Sequence, residues 1–291
     1  MTKILLTGAG GFVGGAILRR LLSQGFEVVT LGRAEHAPHA DVIHHRLDLL
    51  AVGPASLRAL APAGGTLIHA AWYTNHADYL VAEVNRDWTE ASKHLFEAFR
   101  GAGGGRMVGL GTCIEYDLAD GRCTEERTPL RPTTLYGACK QALSEQLLAM
   151  TDTVWARVFF VYGPGDRAGR LVPDLIVRAR GGQPVTVRHG GLRRDYIHID
   201  DLAAQIVALA FSDLVGPVNT GTGHAVALAD IATAVAHAAG QPHLAEANDR
   251  IDPNQPRLIE ADMARFRRAI GPLPARSLRE GLLPLIAPAV Q

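Results

Sequence analysis

Cysteine is scarce in this chain of 291 residues: Cys113, Cys123 and Cys139 are its only three. Their spacing suits neither a disulfide framework nor a thiolate metal site, so no metal is expected. Charge excess is absent as well, with 29 basic against 29 acidic residues. That balance argues against nucleic acid or an anionic membrane as a partner. No apolar run approaches the roughly 20 residues that a membrane-spanning helix needs. The opening Met1-Thr2-Lys3-Ile4-Leu5-Leu6 is too short for a signal peptide and reads as the start of a strand. A cytoplasmic protein follows as the expectation. No internal repeat or low-complexity tail is present. What the chain has is 47% hydrophobic residues, enough to bury a sizeable core.

The most informative segment is Thr7-Gly8-Ala9-Gly10-Gly11-Phe12-Val13-Gly14. It follows the apolar run Lys3 to Thr7, suited to a buried parallel strand, and precedes Ala16 to Leu22, whose apolar residues fall at helical spacing. Strand, glycine turn and helix start are the context that makes a dinucleotide-binding motif credible. Gly8 permits the turn, Gly11 lets the backbone approach a pyrophosphate, and Gly14 lets helix pack close on strand. Amides at the helix start then face the phosphates.

Phe26 to Leu31 reads as the second strand. A site preferring NAD places a carboxylate after it, for the ribose 2′-hydroxyl. This chain has Gly32-Arg33, and a guanidinium pairs with a 2′-phosphate through charge-assisted bonds. NADP(H) is therefore favoured, with NAD(H) kept as the alternative. Asp48 either ends the third strand beside the adenine, with Leu49 next to it, or caps a turn.

Farther along, Tyr136-Gly137-Ala138-Cys139-Lys140 opens a helix that continues through Leu143, Leu147 and Leu148. Residues four apart share a helix face, so Tyr136 and Lys140 reach one site. An ordinary tyrosine titrates near about 10 and stays protonated at neutral pH. A neighbouring ammonium is expected to lower that value and ease proton transfer to a developing alkoxide. The pair begins a helix after a strand at Arg106 to Leu110, which ends in Gly111-Thr112-Cys113-Ile114-Glu115-Tyr116.

Together these segments make the chain resemble the extended short-chain dehydrogenases/reductases, the family of sugar-nucleotide epimerases, dehydratases and ketoreductases. The likeness also takes in His69-Ala70-Ala71, Asn85, Tyr162-Gly163-Pro164-Gly165 and Arg194 to Asp201, and so spans nearly the whole chain. It implies that Thr112 binds the substrate oxygen, that Tyr136 moves the proton, and that Lys140 also holds the nicotinamide ribose. It implies that Ala70 and Ala71 border the cofactor and that Asn85 has a structural or water-holding role near the catalytic helix. Arg194 matches an arginine that contacts a substrate diphosphate, although a plain strand residue fits it too. Asp200 or Asp201 reads as a helix cap, and His198 as a half-buried strand residue rather than a metal ligand. Cys113 either lines the active site or fills a strand end.

Departures narrow the chemistry. Dehydratases of the family carry an acid and a glutamate where this chain has Cys113 and Ile114, and Glu115 sits one residue too late. Elimination of water is therefore not expected. Phe160 stands where many relatives carry an asparagine that touches the nucleotide diphosphate. The expectation is an NADPH-dependent ketoreductase acting on a 4-keto-6-deoxy sugar nucleotide. An epimerase that retains NAD is the alternative, and a non-catalytic NADP-binding regulator a more remote one.

Alternating strands and helices imply an α/β fold, a Rossmann-type doubly wound parallel sheet with a small α+β C-terminal substrate-binding lobe. The boundaries expected are 1–162 for the cofactor domain, with 195–220 returning to it, and 163–194 with 221–291 for the lobe. Helices are expected at 77–100, 133–150, Leu171 to Arg180, 202–212, Ala227 to Ala239 and Arg276 to Ile286. Short strands are expected at Val185 to Val187, Tyr196 to His198 and Val218-Asn219. Ligands bind beyond the carboxyl ends of such strands, so the loops Tyr73 to Tyr79, Gly163 to Arg170 and Arg188 to Arg194 are expected to surround the substrate, with Tyr73, His76, Trp72 and Arg167 as candidate contacts. Helices 77–100 and 133–150 match those that pair in dimers of relatives. Leu80, Val84, Trp88, Leu95 and Phe99 form a stripe that suits either a homodimer face or burial within the chain.

Overall fold

The structure is a computed structural model that describes residues 3–246 and 248–286. Its centre is a seven-stranded parallel sheet built from β1 (Ile4–Thr7), β2 (Val28–Gly32), β3 (Ile43–Arg46), β4 (Thr66–His69), β5 (Met107–Thr112), β7 (Thr153–Val158) and β11 (Gly216–Thr220). The spatial order is β11-β7-β5-β4-β1-β2-β3. Strand order therefore reverses between β1 and β4, which leaves a crevice beyond their carboxyl ends. Helices α1 (Phe12–Ser23), α2 (Pro54–Leu60), α3 (Val84–Gly101), α4 (Leu135–Leu148) and α6 (Ile199–Ala210) cover the two faces.

The apolar runs read as buried strands because both sides of each are covered. Ile4 and Leu6 pack with Ile17 and Leu21 of α1 and with Leu202 and Ile206 of α6. Leu5, pointing the other way, packs with Trp88, Leu95 and Phe99 of α3 and with Leu143 and Leu147 of α4. Of the expected stripe, Trp88, Leu95 and Phe99 are thus buried inside the chain, while Leu80 and Val84 are half-buried.

A third apolar cluster lies outside the sheet. It joins Tyr162 to α5 (Leu171–Arg180), α7 (Leu228–Ala238) and Leu282 of α9 (Leu278–Ile286). Short strands tie this part to the rest. β8 (Phe160–Tyr162) pairs with β10 (Tyr196–His198) in parallel, and a second small sheet runs β12 (Val226–Ala227), β9 (Arg193–Arg194), β13 (Leu258–Ala261), β6 (Arg122–Cys123). The last helix before α9 is α8 (Ala264–Ile270). No helix among the described residues is long and apolar enough to cross a membrane.

Several boundaries differ from expectation. The helix expected from residue 77 begins at Val84, because Asn75 and Asp78 bend the chain first: the amides of Val81 and Ala82 both donate to the Asp78 carbonyl. Val185 to Val187 is no strand; Val185 makes a single bridge to Ala245. Asp48 lies beyond β3, and its Oδ1 accepts from the Leu50 amide at 3.0 Å, the turn-capping role. His198 is buried rather than half-buried, and its Nδ1 accepts from the Asp200 amide at the start of α6.

Candidate active site

The glycine turn has no room for side chains at two places. Gly8 sits at φ +75°, and a Cβ there would lie 2.7 Å from the Ala70 carbonyl carbon. A Cβ on Gly14 would lie 2.1 Å from the Gly8 carbonyl oxygen. The turn closes with the Gly11 amide donating to that oxygen at 2.9 Å. Gly11 is the cap of α1 and offers no side chain to its first amides. Those open amides and the missing Cβ atoms form a cradle that fits a dinucleotide pyrophosphate.

Next to the turn, His69 ends β4 in a fixed tautomer. Ser92 Oγ donates to the Trp88 carbonyl at 2.6 Å, so it accepts from His69 Nε2 at 2.9 Å. His69 Nδ1 then accepts from Thr7 Oγ1 at 2.8 Å, and that oxygen in turn accepts from the Ala71 amide. Burial, with a smaller effect of Lys140, pulls the imidazole down to about 3, so it is neutral. This chain of bonds fixes Ala70 and Ala71 against the glycine turn.

Across the crevice, Thr112 ends β5 and a single 3₁₀ turn, Cys113–Glu115, follows. Glu115 is completely buried and folds back beneath Thr112. Its Oε1 accepts from the Thr112 amide at 2.7 Å and its Oε2 from Arg157 Nε at 2.9 Å, with Trp155 Nε1 3.0 Å from both oxygens. Arg157 also donates to the Tyr116 hydroxyl at 3.0 Å, which donates to Asn219 Oδ1 at 2.7 Å. The one carboxylate of this segment is thus committed to anchoring Thr112.

Thr134 starts α4, its hydroxyl accepting from the Gly137 amide at 3.1 Å. One turn in, Tyr136 and Lys140 reach the crevice. Burial, helped by Tyr79, Glu115 and Cys113, pushes the Tyr136 phenol above its ordinary range, while the Thr112 hydroxyl acts the other way. The depression expected from Lys140 is not what the site shows. Its ammonium donates to the Leu110 carbonyl at 2.8 Å, lies 3.7 Å from the Trp72 ring centroid and is 5.9 Å from that of Tyr136. Burial lowers Lys140 itself to about 7, against a smaller opposing effect of Glu115.

One cavity of about 550 Å³ gathers these groups. Gly8, Gly11, Phe12, Val13, Gly14, Arg33, Asp48, Leu49, Ala70 and Ala71 line its nucleotide end, and Thr112, Tyr136 and Lys140 its middle. Trp72, His76, Cys113, Phe160 and Arg167 line the remainder. Two expected contacts are elsewhere. Tyr73 turns away, its hydroxyl donating to Asp78 Oδ1 at 2.8 Å. Arg194 is buried and spends its guanidinium on the carbonyls of Arg193 and Pro256, at 2.8 and 2.9 Å. Its guanidinium lies 5.9 Å from the ring centroid of Phe160, a residue of the cavity wall, without lining the cavity itself.

Tyr79, Asp166 and Arg170, from two of the loops expected around the substrate, also line it, as do His44 and Trp88, which sequence reasoning did not place there. Arg170 pairs with Asp166 at 3.5 Å. Among the described residues, no group of three or more His, Cys, Asp and Glu is placed to hold a metal ion.

A doubly wound sheet whose crevice joins a pyrophosphate cradle to a threonine, a tyrosine and a lysine defines a nicotinamide-cofactor enzyme of the extended short-chain dehydrogenase/reductase type. The chain belongs to the NAD dependent epimerase/dehydratase family, whose sequence profile matches residues 4–219. It is similar to a dTDP-4-dehydro-6-deoxy-D-allose reductase of Streptomyces bikiniensis, 27% identical over 96% of this chain and 93% of the relative. It is also similar to a dTDP-6-deoxy-L-talose 4-dehydrogenase (NAD(P)(+)) of Kitasatospora kifunensis, 29% identical with the same coverage. Among solved structures it resembles an NAD dependent NDP-hexosamine 5,6-dehydratase of tunicamycin biosynthesis. The TM-score there is 0.81 at 27% identity, covering 97% of this chain and 95% of the other.

Proposed function

We propose that this protein reduces the keto group of a 4-keto-6-deoxy sugar nucleotide with NADPH. The observation that carries the reading is the combination of Thr112, Tyr136 and Lys140 in one cavity with Glu115 locked beneath Thr112. A dehydratase needs a carboxylate base at the substrate. Among the described lining residues the only carboxylates are Asp48, at the nucleotide end, and Asp166, paired with Arg170.

When bound, the reduced nicotinamide supplies a hydride to the carbonyl carbon. Thr112 holds the carbonyl oxygen, and Tyr136, kept protonated by its surroundings, gives that oxygen its proton as negative charge develops. The Lys140 ammonium stabilises the same charge and binds the ribose. Arg167 and Arg170 supply positive charge for a substrate diphosphate. Arg33, exposed at the rim after β2 where no acid stands, supports a 2′-phosphate and hence NADPH. The names of the reductase and dehydrogenase relatives support the substrate class. A homodimer through α3 and α4 rests on the family resemblance alone, and sedimentation in solution decides it.

The test is oxidation of NADPH by the purified protein with a dTDP-4-keto-6-deoxyhexose. Turnover by the parent and its loss in Tyr136→Phe are expected. Equal turnover in Tyr136→Phe would sink the assignment, and firmly held NAD with no net redox change would turn it toward epimerisation.

A further inference from the structure

Trp72 and Asn85 make contacts with Lys140 and its surroundings that the reaction above leaves unused. Asn85 is fully buried near the start of α3. Its Nδ2 donates to the carbonyls of Tyr79 and Ala82, at 2.7 and 2.8 Å, which fixes its amide. Its Oδ1 therefore faces Trp72 and accepts from the indole Nε1 at 2.8 Å. Trp88 on one side, at 6.1 Å, and the edge-on ring of Tyr136 on the other, at 6.2 Å, complete the setting of the indole.

The Lys140 ammonium then lies over the Trp72 ring. An ammonium has three N–H bonds and a strong need for contact once water is removed. One bond goes to Leu110, and the indole face, the best aromatic partner for a cation, takes one side. The remaining donor capacity faces the cavity that Lys140 lines.

We propose that Trp72 is the positioning residue for Lys140, carrying its ammonium on the indole face at the place where it meets the nicotinamide ribose, while Asn85 fixes the plane of that face. The inference rests on the role given to Lys140 in the proposed reaction. It deepens that role, because α4 alone does not aim the lysine: four flexible carbons separate Nζ from the helix. Other groups near the ammonium are few. Tyr136 stands on its own helix, neutral His69 on β4, Glu115, already paired with Arg157, in the 3₁₀ turn, and the Trp155 ring of β7 is 5.8 Å away. Trp72 is the closest ring of the three around it, and burial works against the charge it supports.

The chain has three lysines, Lys3, Lys93 and Lys140, so protein carrying lysine labelled with carbon-13 at the ε position gives three signals. The signal of Lys140, assigned with Lys140→Met, is followed through pH in the parent, in Trp72→Leu and in Trp72→Phe. The parent signal should carry a ring-current shift and titrate well below the other two. Trp72→Leu should lose the ring-current shift and move the midpoint lower by about half a unit or more. Trp72→Phe, which keeps a smaller and weaker aromatic face and loses the bond to Asn85, should fall between them. NADPH affinity, measured on the same proteins without substrate, should weaken as pH rises through each midpoint, so that its pH dependence moves with the NMR titration.

A Lys140 signal and midpoint unchanged in folded Trp72→Leu overturn the proposal, as does a loss of NADPH affinity that is equal at every pH. Should Trp72→Leu not fold, the same comparison is read from Trp72→Phe. Neither measurement uses a sugar nucleotide. A wrong substrate class therefore fails the turnover test while leaving this result intact.

Discussion

Replacing Glu115 by glutamine changes one oxygen into an amide group at a site where every neighbour is a donor. The Thr112 amide, Trp155 Nε1 and Arg157 Nε all point at the carboxylate. Whichever way the glutamine amide turns, its NH₂ faces one of them, and that donor goes unpaired. Arg157 also loses its counter-charge while its side chain is only 3% exposed. Breaking a buried pair from one side costs about 3–5 kcal/mol. At roughly 2 °C per kcal/mol for a chain of this size, Tm should fall by about 6–10 °C. Scanning calorimetry of Glu115→Gln, Arg157→Met and the double variant measures this. The two costs should be coupled by at least about 1 kcal/mol, the double variant being less damaged than the sum. A second consequence is kinetic: with the amide of Thr112 no longer anchored, kcat should fall more than the KM for substrate rises. A Tm within about 2 °C of the parent, or purely additive costs, would refute the view that this pair holds Thr112.

The neutral, buried His69 makes stability depend on acid. Unfolded histidine gains its proton below about 6.5, whereas the folded one resists down to about 3. The stabilisation is thus full at neutral pH and shrinks as pH falls. By pH 5 the loss is about 2 kcal/mol, visible in urea unfolding and smaller in His69→Gln. In Gly14→Ala the new methyl would meet the Gly8 carbonyl oxygen, so nucleotide binding should be lost altogether and Tm lowered; isothermal calorimetry with NADPH reads the first effect. Arg33→Ala should weaken NADPH by about 10-fold or more, the worth of a charge-assisted bond, and leave NADH nearly unchanged. Equal effects on both nucleotides would remove Arg33 from the phosphate.

How much of this was legible in the chain differs from residue to residue. The glycine turn could be read because its meaning is local: strand, turn and helix are consecutive, and Gly8 and Gly14 touch each other across six residues. The spacing of Tyr136 and Lys140 was legible for the same reason, since a helix fixes what lies one turn away. The direction of the lysine was not, because Trp72 comes from a different part of the chain and only the fold brings the two together. Glu115 was seen to be out of place for a base, yet its union with Arg157 depends on β5 and β7 lying side by side. The bonds of Arg194 were out of reach in the same way, as the carbonyl of Pro256 lies 62 positions later in sequence. Tyr73 was read from its place in a loop beyond the strand ends, but the turn at Asp78 captured its hydroxyl.

The position of β11 has a consequence for how the protein is made. It closes the sheet by pairing with β7, and Asn219 within it receives the Tyr116 hydroxyl and donates to the Cys123 carbonyl. Until the ribosome has delivered Gly216–Thr220, the nascent chain holds β7 as an open edge, a template for pairing with other chains. The enzyme's wall beneath Thr112 is likewise incomplete until that strand arrives. Synthesis that stalls in the stretch between β7 and β11 therefore yields a sticky chain with no finished catalytic floor, and chaperone binding should concentrate on that interval of translation.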